Sequence, residues 1–148
     1  MSTTAVSAQD HVDIQNLYAR YNHCSDAGDA EGYAACFSAD GALEIEPRGF
    51  RVQGRANLVA YKAQEAAGRA GRYRRHWNGS LHLERIGADS VRGRCYFQGF
   101  NGQPGELPVF CDAGVYEDTI VHVDGAWLFA RRRLAIDGSR PFPSPARP

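Results

Sequence analysis

The sequence predicts an α+β fold in which three N-terminal helices cover a strongly curved, antiparallel or mixed sheet wrapped around a pocket in a cone. Apolar residues recur at helical spacing in the first third of the chain, at Ile14, Leu17, Tyr18 and Tyr21. From His76 onward the period changes to two. The order supplies the third observation. Helices come first and a long run of strands follows, so the strands form a meander and the helices cover one of its faces.

The first helix carries Ile14, Leu17, Tyr18, Tyr21 and Ser25 on one face and stops at Gly28. A short second helix follows, capped by Asp29, with Tyr33, Cys36 and Phe37 turned inward. Ala39-Asp40-Gly41 reads as a turn and residues 42–46 as a strand. A third helix spans residues 55–67 and closes at Gly68. Four strands follow, at 76–85, 90–100, 107–122 and 126–136. Asp124-Gly125 between the last two is a strong hairpin signal. The 148 residues suit one domain over residues 1–137, with residues 138–148 a proline-rich, non-helical tail.

Composition removes several classes of function. Seventeen basic and seventeen acidic residues leave no net charge, so neither nucleic acid nor an anionic membrane is an expected partner. No apolar run approaches the roughly 20 residues that span a bilayer. Met1 to Asp10 lack the pattern of a secretory leader, which makes the cytoplasm the expected compartment and free thiols the expected state of Cys24, Cys36, Cys95 and Cys111. Lys62 is the only lysine, which leaves little scope for Schiff-base chemistry. His11, His23, His82 and His122 lack metal-binding spacing, and no phosphate-binding or nucleophile-elbow motif occurs. No metal and no cofactor are expected.

Several segments together resemble the SnoaL-like branch of the nuclear transport factor 2-like superfamily. They are Ile14 to Tyr18, Asp26-Ala27-Gly28-Asp29, Cys36 to Gly41, Arg75-His76-Trp77-Asn78, Gly114 to Asp118 and Asp124 to Arg132. Their spacing is similar to the scytalone dehydratase-like enzymes, a group that includes bile-acid dehydratases and works without a cofactor. The resemblance implies an Asp late in the first helix and a His early in the first long strand, and Asp26 and His76 stand at those places. It also implies a pocket role for Tyr21, five residues before Asp26, and an inward Arg132, five past Trp127. The second histidine of the fungal dehydratase, expected at residues 97–99, has no counterpart here.

These residue types suit acid–base chemistry. A carboxylate on the Nδ1–H of an imidazole fixes its tautomer and leaves Nε2 free to take a proton; the other reading of Asp26 and His76 is a polar tie between helix and sheet. Tyr21 is a candidate donor to a substrate oxygen, and Tyr18 shares its helix face. An inward Arg132 needs an anion. Asp112, on a strand face with Gly114 and Tyr116, is the expected partner, unless Arg132 binds substrate. Asn78 shares a strand face with His76. Phe97, Phe110 and Trp77 are candidate walls for a ring-shaped substrate.

The expected function is dehydration or another β-elimination on a small, apolar, cyclic molecule. The alternatives are isomerisation or cyclisation at the same site, or a non-catalytic binding or assembly module. Strand alternation puts Trp127, Phe129 and Arg131 on the outer sheet face. That face predicts a homo-oligomer, trimer ahead of dimer, with the tail lying on a neighbouring subunit.

Overall fold

The structure, a computed structural model, describes residues 5–142. Helix α1 (Ala8–Ala27) begins where the Ser7 side chain accepts the N–H of Asp10 and ends where Gly28 turns left-handed at φ 71°. Ile14, Leu17, Tyr18, Tyr21 and Ser25 are its buried residues, the face the spacing predicts. Helix α2 (Ala30–Ala34) is capped by Asp29, whose side chain accepts the N–H of Gly32. Helix α3 (Arg55–Ala67) buries Leu58 and Lys62.

The described residues form six strands in one sheet: β1 (Phe37–Glu46), β2 (Phe50–Gln53), β3 (Tyr73–Gly87), β4 (Ser90–Gly102), β5 (Val109–Val123) and β6 (Ala126–Ser139). Their order is β2-β1-β6-β5-β4-β3. Only β1 and β6 run parallel; the other neighbours are antiparallel, so the sheet is mixed. The helices and the inner sheet face enclose the core, where Tyr18, Tyr21, Tyr33, Phe37, Phe97, Tyr116 and Phe129 pack together.

The structure corrects four details. Phe37 opens β1 instead of closing a helix, and Ala39-Asp40-Gly41 is a register shift within that strand, not a turn. Strand β2 is additional; it is four residues long and pairs only with β1. Strand β6 runs past Asp137 to Ser139, where it pairs with Asp112. The expected contact of the tail with a neighbour falls mostly on residues 143–148, outside the described residues.

The fourth correction moves side chains between faces. Trp127 and Phe129 are 8% and 0% exposed, inside and not on the outer face. Thr119 opposes Arg131 and Ile120 opposes Phe129, so Ala130 is an extra residue in β6. Such a bulge breaks the alternation. It lets Trp127 and Phe129 before it, and Arg132 and Leu134 after it, all point inward.

Candidate active site

Helix α1 and strand β3 position the central pair. Four helical residues rise about 6 Å and two strand residues advance about 6.6 Å, so two contacts fall in step between the elements. Asn22 Nδ2 donates to Asn78 Oδ1 at 2.7 Å. One turn later Asp26 meets His76 twice: Oδ2 accepts the His76 backbone N–H at 3.1 Å, and Oδ1 lies 2.5 Å from ring Nδ1. Because β3 is a sheet edge, Asp26 supplies the acceptor that a neighbouring strand would otherwise provide. With Nδ1–H on Asp26, Nε2 is the unshared nitrogen, and the ring borders a cavity of about 220 Å³.

Burial is the main reason the His76 pKa falls to about 4. The cations Arg74 and Lys62 push the same way, while Asp26 pulls it up. The imidazole is therefore neutral near pH 7, the form in which Nε2 accepts a proton.

The cavity is walled by Tyr21, Leu43, Ile45, Tyr61, Phe97, Tyr116, Leu134 and Ile136. Phe97 stands 5.4 Å from both the His76 and Tyr116 rings. Tyr21 is 3% exposed and its hydroxyl lies 3.3 Å from that of Tyr33. Burial raises both phenols well above their ordinary range, so they remain protonated.

The remaining expected residues lie elsewhere. Arg132 is fully buried but does not line the cavity. Its guanidinium sits 3.6 Å from the centre of the Tyr116 ring and 4.1 Å from that of Tyr21, and these two rings face the cavity. Its anionic partner is Asp118, 3.3 Å away and directly opposite in the β5–β6 register, and not Asp112. Asp118 also accepts the Tyr18 hydroxyl at 2.5 Å, which makes Tyr18 part of this buried group. Asp112 instead pairs with Arg74 at 2.8 Å, and both line the cavity. Asn78 turns to α1 and away from the cavity. Trp77 and Phe110 are 65% and 43% exposed and lie outside the cavity. Trp77, Asp26 and His76 border a separate outer groove of about 620 Å³.

Sequence reasoning missed Lys62, Glu65, Arg74 and Tyr116, all of which line the cavity. Lys62 carried a signal: it follows Leu58 by four residues, a charged residue in an apolar stripe. Tyr116 and Asp118 extend the alternation through Asp112 and Gly114, and counting back from the Asp124-Gly125 turn sets Asp118, not Asp112, near Arg132. Among the described residues no three His, Cys, Asp or Glu side chains gather where they could hold a metal ion. All four cysteines are free. No described helix is long and apolar enough to cross a membrane.

The fold recurs in many solved structures. A substituted form of Rv3472, a protein of unknown function from Mycobacterium tuberculosis, is 30% identical, with a TM-score of 0.78 over 88% of this chain and 78% of that one. ActVI-ORFA from Streptomyces coelicolor is 23% identical, with a TM-score of 0.78 over 86% of this chain and 96% of that one. A protein from Novosphingobium aromaticivorans named as a candidate scytalone dehydratase is 24% identical, with a TM-score of 0.77 over 93% and 91%. No curated protein sequence matches the chain. The profile described as SnoaL-like domain matches residues 6–133, and the chain belongs to that family.

Proposed function

We propose that the protein is a dehydratase-like lyase that eliminates water from a small cyclic β-hydroxy carbonyl compound, using His76 and Asp26. The observation that carries this reading is the neutral imidazole held by Asp26 on Nδ1, with Nε2 unshared beside a cavity walled by rings. His76 Nε2 takes the proton from the carbon next to the carbonyl. Asp26 stabilises the imidazolium that forms. The imidazolium returns the proton to the β-hydroxyl, which leaves as water while the new C=C bond forms. One positioned base of this kind contributes about 10²–10⁴-fold. With Tyr33 as donor in the hydroxyl pair, the Tyr21 proton is available to a substrate oxygen. These steps need no group beyond the chain's own side chains.

The cavity sets the substrate size. A void of roughly 150 Å³ holds one benzene ring, so about 220 Å³ suits one ring or two fused rings and is too small for a four-ring steroid. The test is the ultraviolet absorbance of a conjugated enone, followed with 3-hydroxycyclohexanone and its fused-ring analogues. Wild type forms the enone and His76→Ala does not; equal rates in the two proteins contradict the reading. Product analysis in the same assay identifies isomerisation, in which the proton returns to a ring carbon.

A further inference from the structure

Lys62 has one side chain's worth of chemistry that the elimination does not yet use. It is 4% exposed on α3 and lines the same cavity as His76. Its Nζ donates to Ser25 Oγ at 2.9 Å and to Glu65 Oε2 at 3.0 Å, and it lies 4.6 Å from the centre of the Tyr33 ring. An ammonium has three N–H donors, so two hydrogen bonds leave one for the cavity.

Charge at this end of the cavity is not balanced. Arg69 already holds both oxygens of Glu65, Nε to Oε1 at 3.0 Å and Nη2 to Oε2 at 2.6 Å. Burial would raise the Glu65 carboxyl, but Arg69 and Lys62 outweigh it and hold it at about 2. Arg69 is further satisfied by the carbonyls of Ser25 and Asp26 at the end of α1. Arg74 and Asp112 neutralise each other at 2.8 Å. Arg48 adds another cation at the exposed rim. Lys62 and Arg69 thus share the one carboxylate of Glu65, so Lys62 has no counter-charge to itself, and a buried charge is costly without one. Two other candidate donors do not face the cavity: Asn78 turns to Asn22, and Arg132 lies behind the Tyr21 and Tyr116 rings.

We propose that the Lys62 ammonium binds the substrate's negatively charged oxygen, the enolate oxygen that forms as His76 removes the neighbouring proton. This deepens the elimination reading and rests on it. It defines the substrate as a ring compound whose reacting carbon lies next to a carbonyl, with that carbonyl toward α3. Burial holds the Lys62 pKa below the usual lysine value, although Glu65 pulls it up.

A carboxylate carries permanently the charge that an enolate carries in passing, so binding tests the subsite without turnover. The probes are 2-naphthoate and its neutral analogue 2-naphthamide, titrated at pH 7 into wild type, Lys62→Met, Lys62→Arg and His76→Gln. Wild type binds the carboxylate at least about tenfold more tightly than the amide, the scale of one charge-assisted hydrogen bond. Lys62→Met loses that preference and keeps its affinity for the amide, while Lys62→Arg retains part of it. His76→Gln keeps the preference in full, so a failure of the proton-transfer reading is distinct from a failure of this one. A wild type without carboxylate preference, or a preference that survives in Lys62→Met, overturns the proposal. Thermal melting supplies a second readout. Because Arg69 continues to hold Glu65, Lys62→Met melts no lower than wild type; a melting point several degrees lower makes Lys62 a structural ion-pair partner and overturns the proposal.

Discussion

Comparing wild type with His76→Gln in urea from pH 7 to pH 4 measures the protonation state of the central imidazole. In the unfolded chain His76 binds a proton as pH falls through about 6.5, while in the folded protein the ring refuses it until about pH 4. The folded pKa is depressed, so the stability is fully present above 6.5 and is lost as pH falls toward 4. The interval is worth about 3 kcal/mol. The side chain is only 9% exposed, so solvent screening removes little of it. Glutamine binds no proton, so wild type loses about 3 kcal/mol relative to the variant over this range. Titrations of groups away from His76 cancel in the difference, including that of Asp118, whose carboxyl burial raises to about 6 and which acts in the opposite direction. The fluorescence of buried Trp127 reports unfolding. A stability gap between the two proteins that does not change with pH refutes the reasoning, because it shows that folding leaves the His76 pKa where it was.

Three further predictions follow from the same contacts. Asp26→Asn keeps one acceptor, for Nδ1–H or for the His76 backbone N–H but not for both, and removes the charge that steadies the imidazolium; kcat falls by about 10²-fold or more, measured on any substrate the wild type turns over. Arg132→Leu or Asp118→Leu alone leaves a charge in a fully buried site and costs about 3–5 kcal/mol in urea unfolding, while the double change recovers most of the loss. For the homo-oligomer expected from the sequence we propose a different surface: Trp77 and Tyr96 are 65% and 60% exposed on the outer sheet face, in line with Phe100 and Phe110. Light scattering gives the mass of more than one chain for wild type and a lower mass for Trp77→Glu; a monomeric wild type contradicts this.

Much of the fold was legible because period and punctuation agree. The Ile14 to Ser25 stripe, the Gly28 stop and the Asp29 cap each need only residues a few positions apart, and all fall where the sequence puts them. Asp26 and His76 were paired by resemblance, and the step of helix against strand explains why they meet. What the sequence hid depends on register. One extra residue at Ala130 reverses the facing of Trp127 and Phe129, and nothing local marks it. The Arg132 partner was misassigned because Asp112 and Asp118 share one strand face, and only the hairpin register separates them. The place of Lys62 in the cavity is equally non-local: Glu65 is its neighbour on α3, but Ser25 comes from α1 and meets it only in the folded chain.

The most direct test of the central claim is exchange of the α-protons of 1-tetralone in deuterated buffer, followed by proton NMR. It requires only that His76 remove a proton beside a carbonyl, whatever the later steps of the natural reaction. Wild type is expected to speed the exchange over buffer, and His76→Gln to lose about 10²–10⁴-fold of that acceleration. Exchange that is no faster with wild type than in buffer, or equally fast with His76→Gln, contradicts the account.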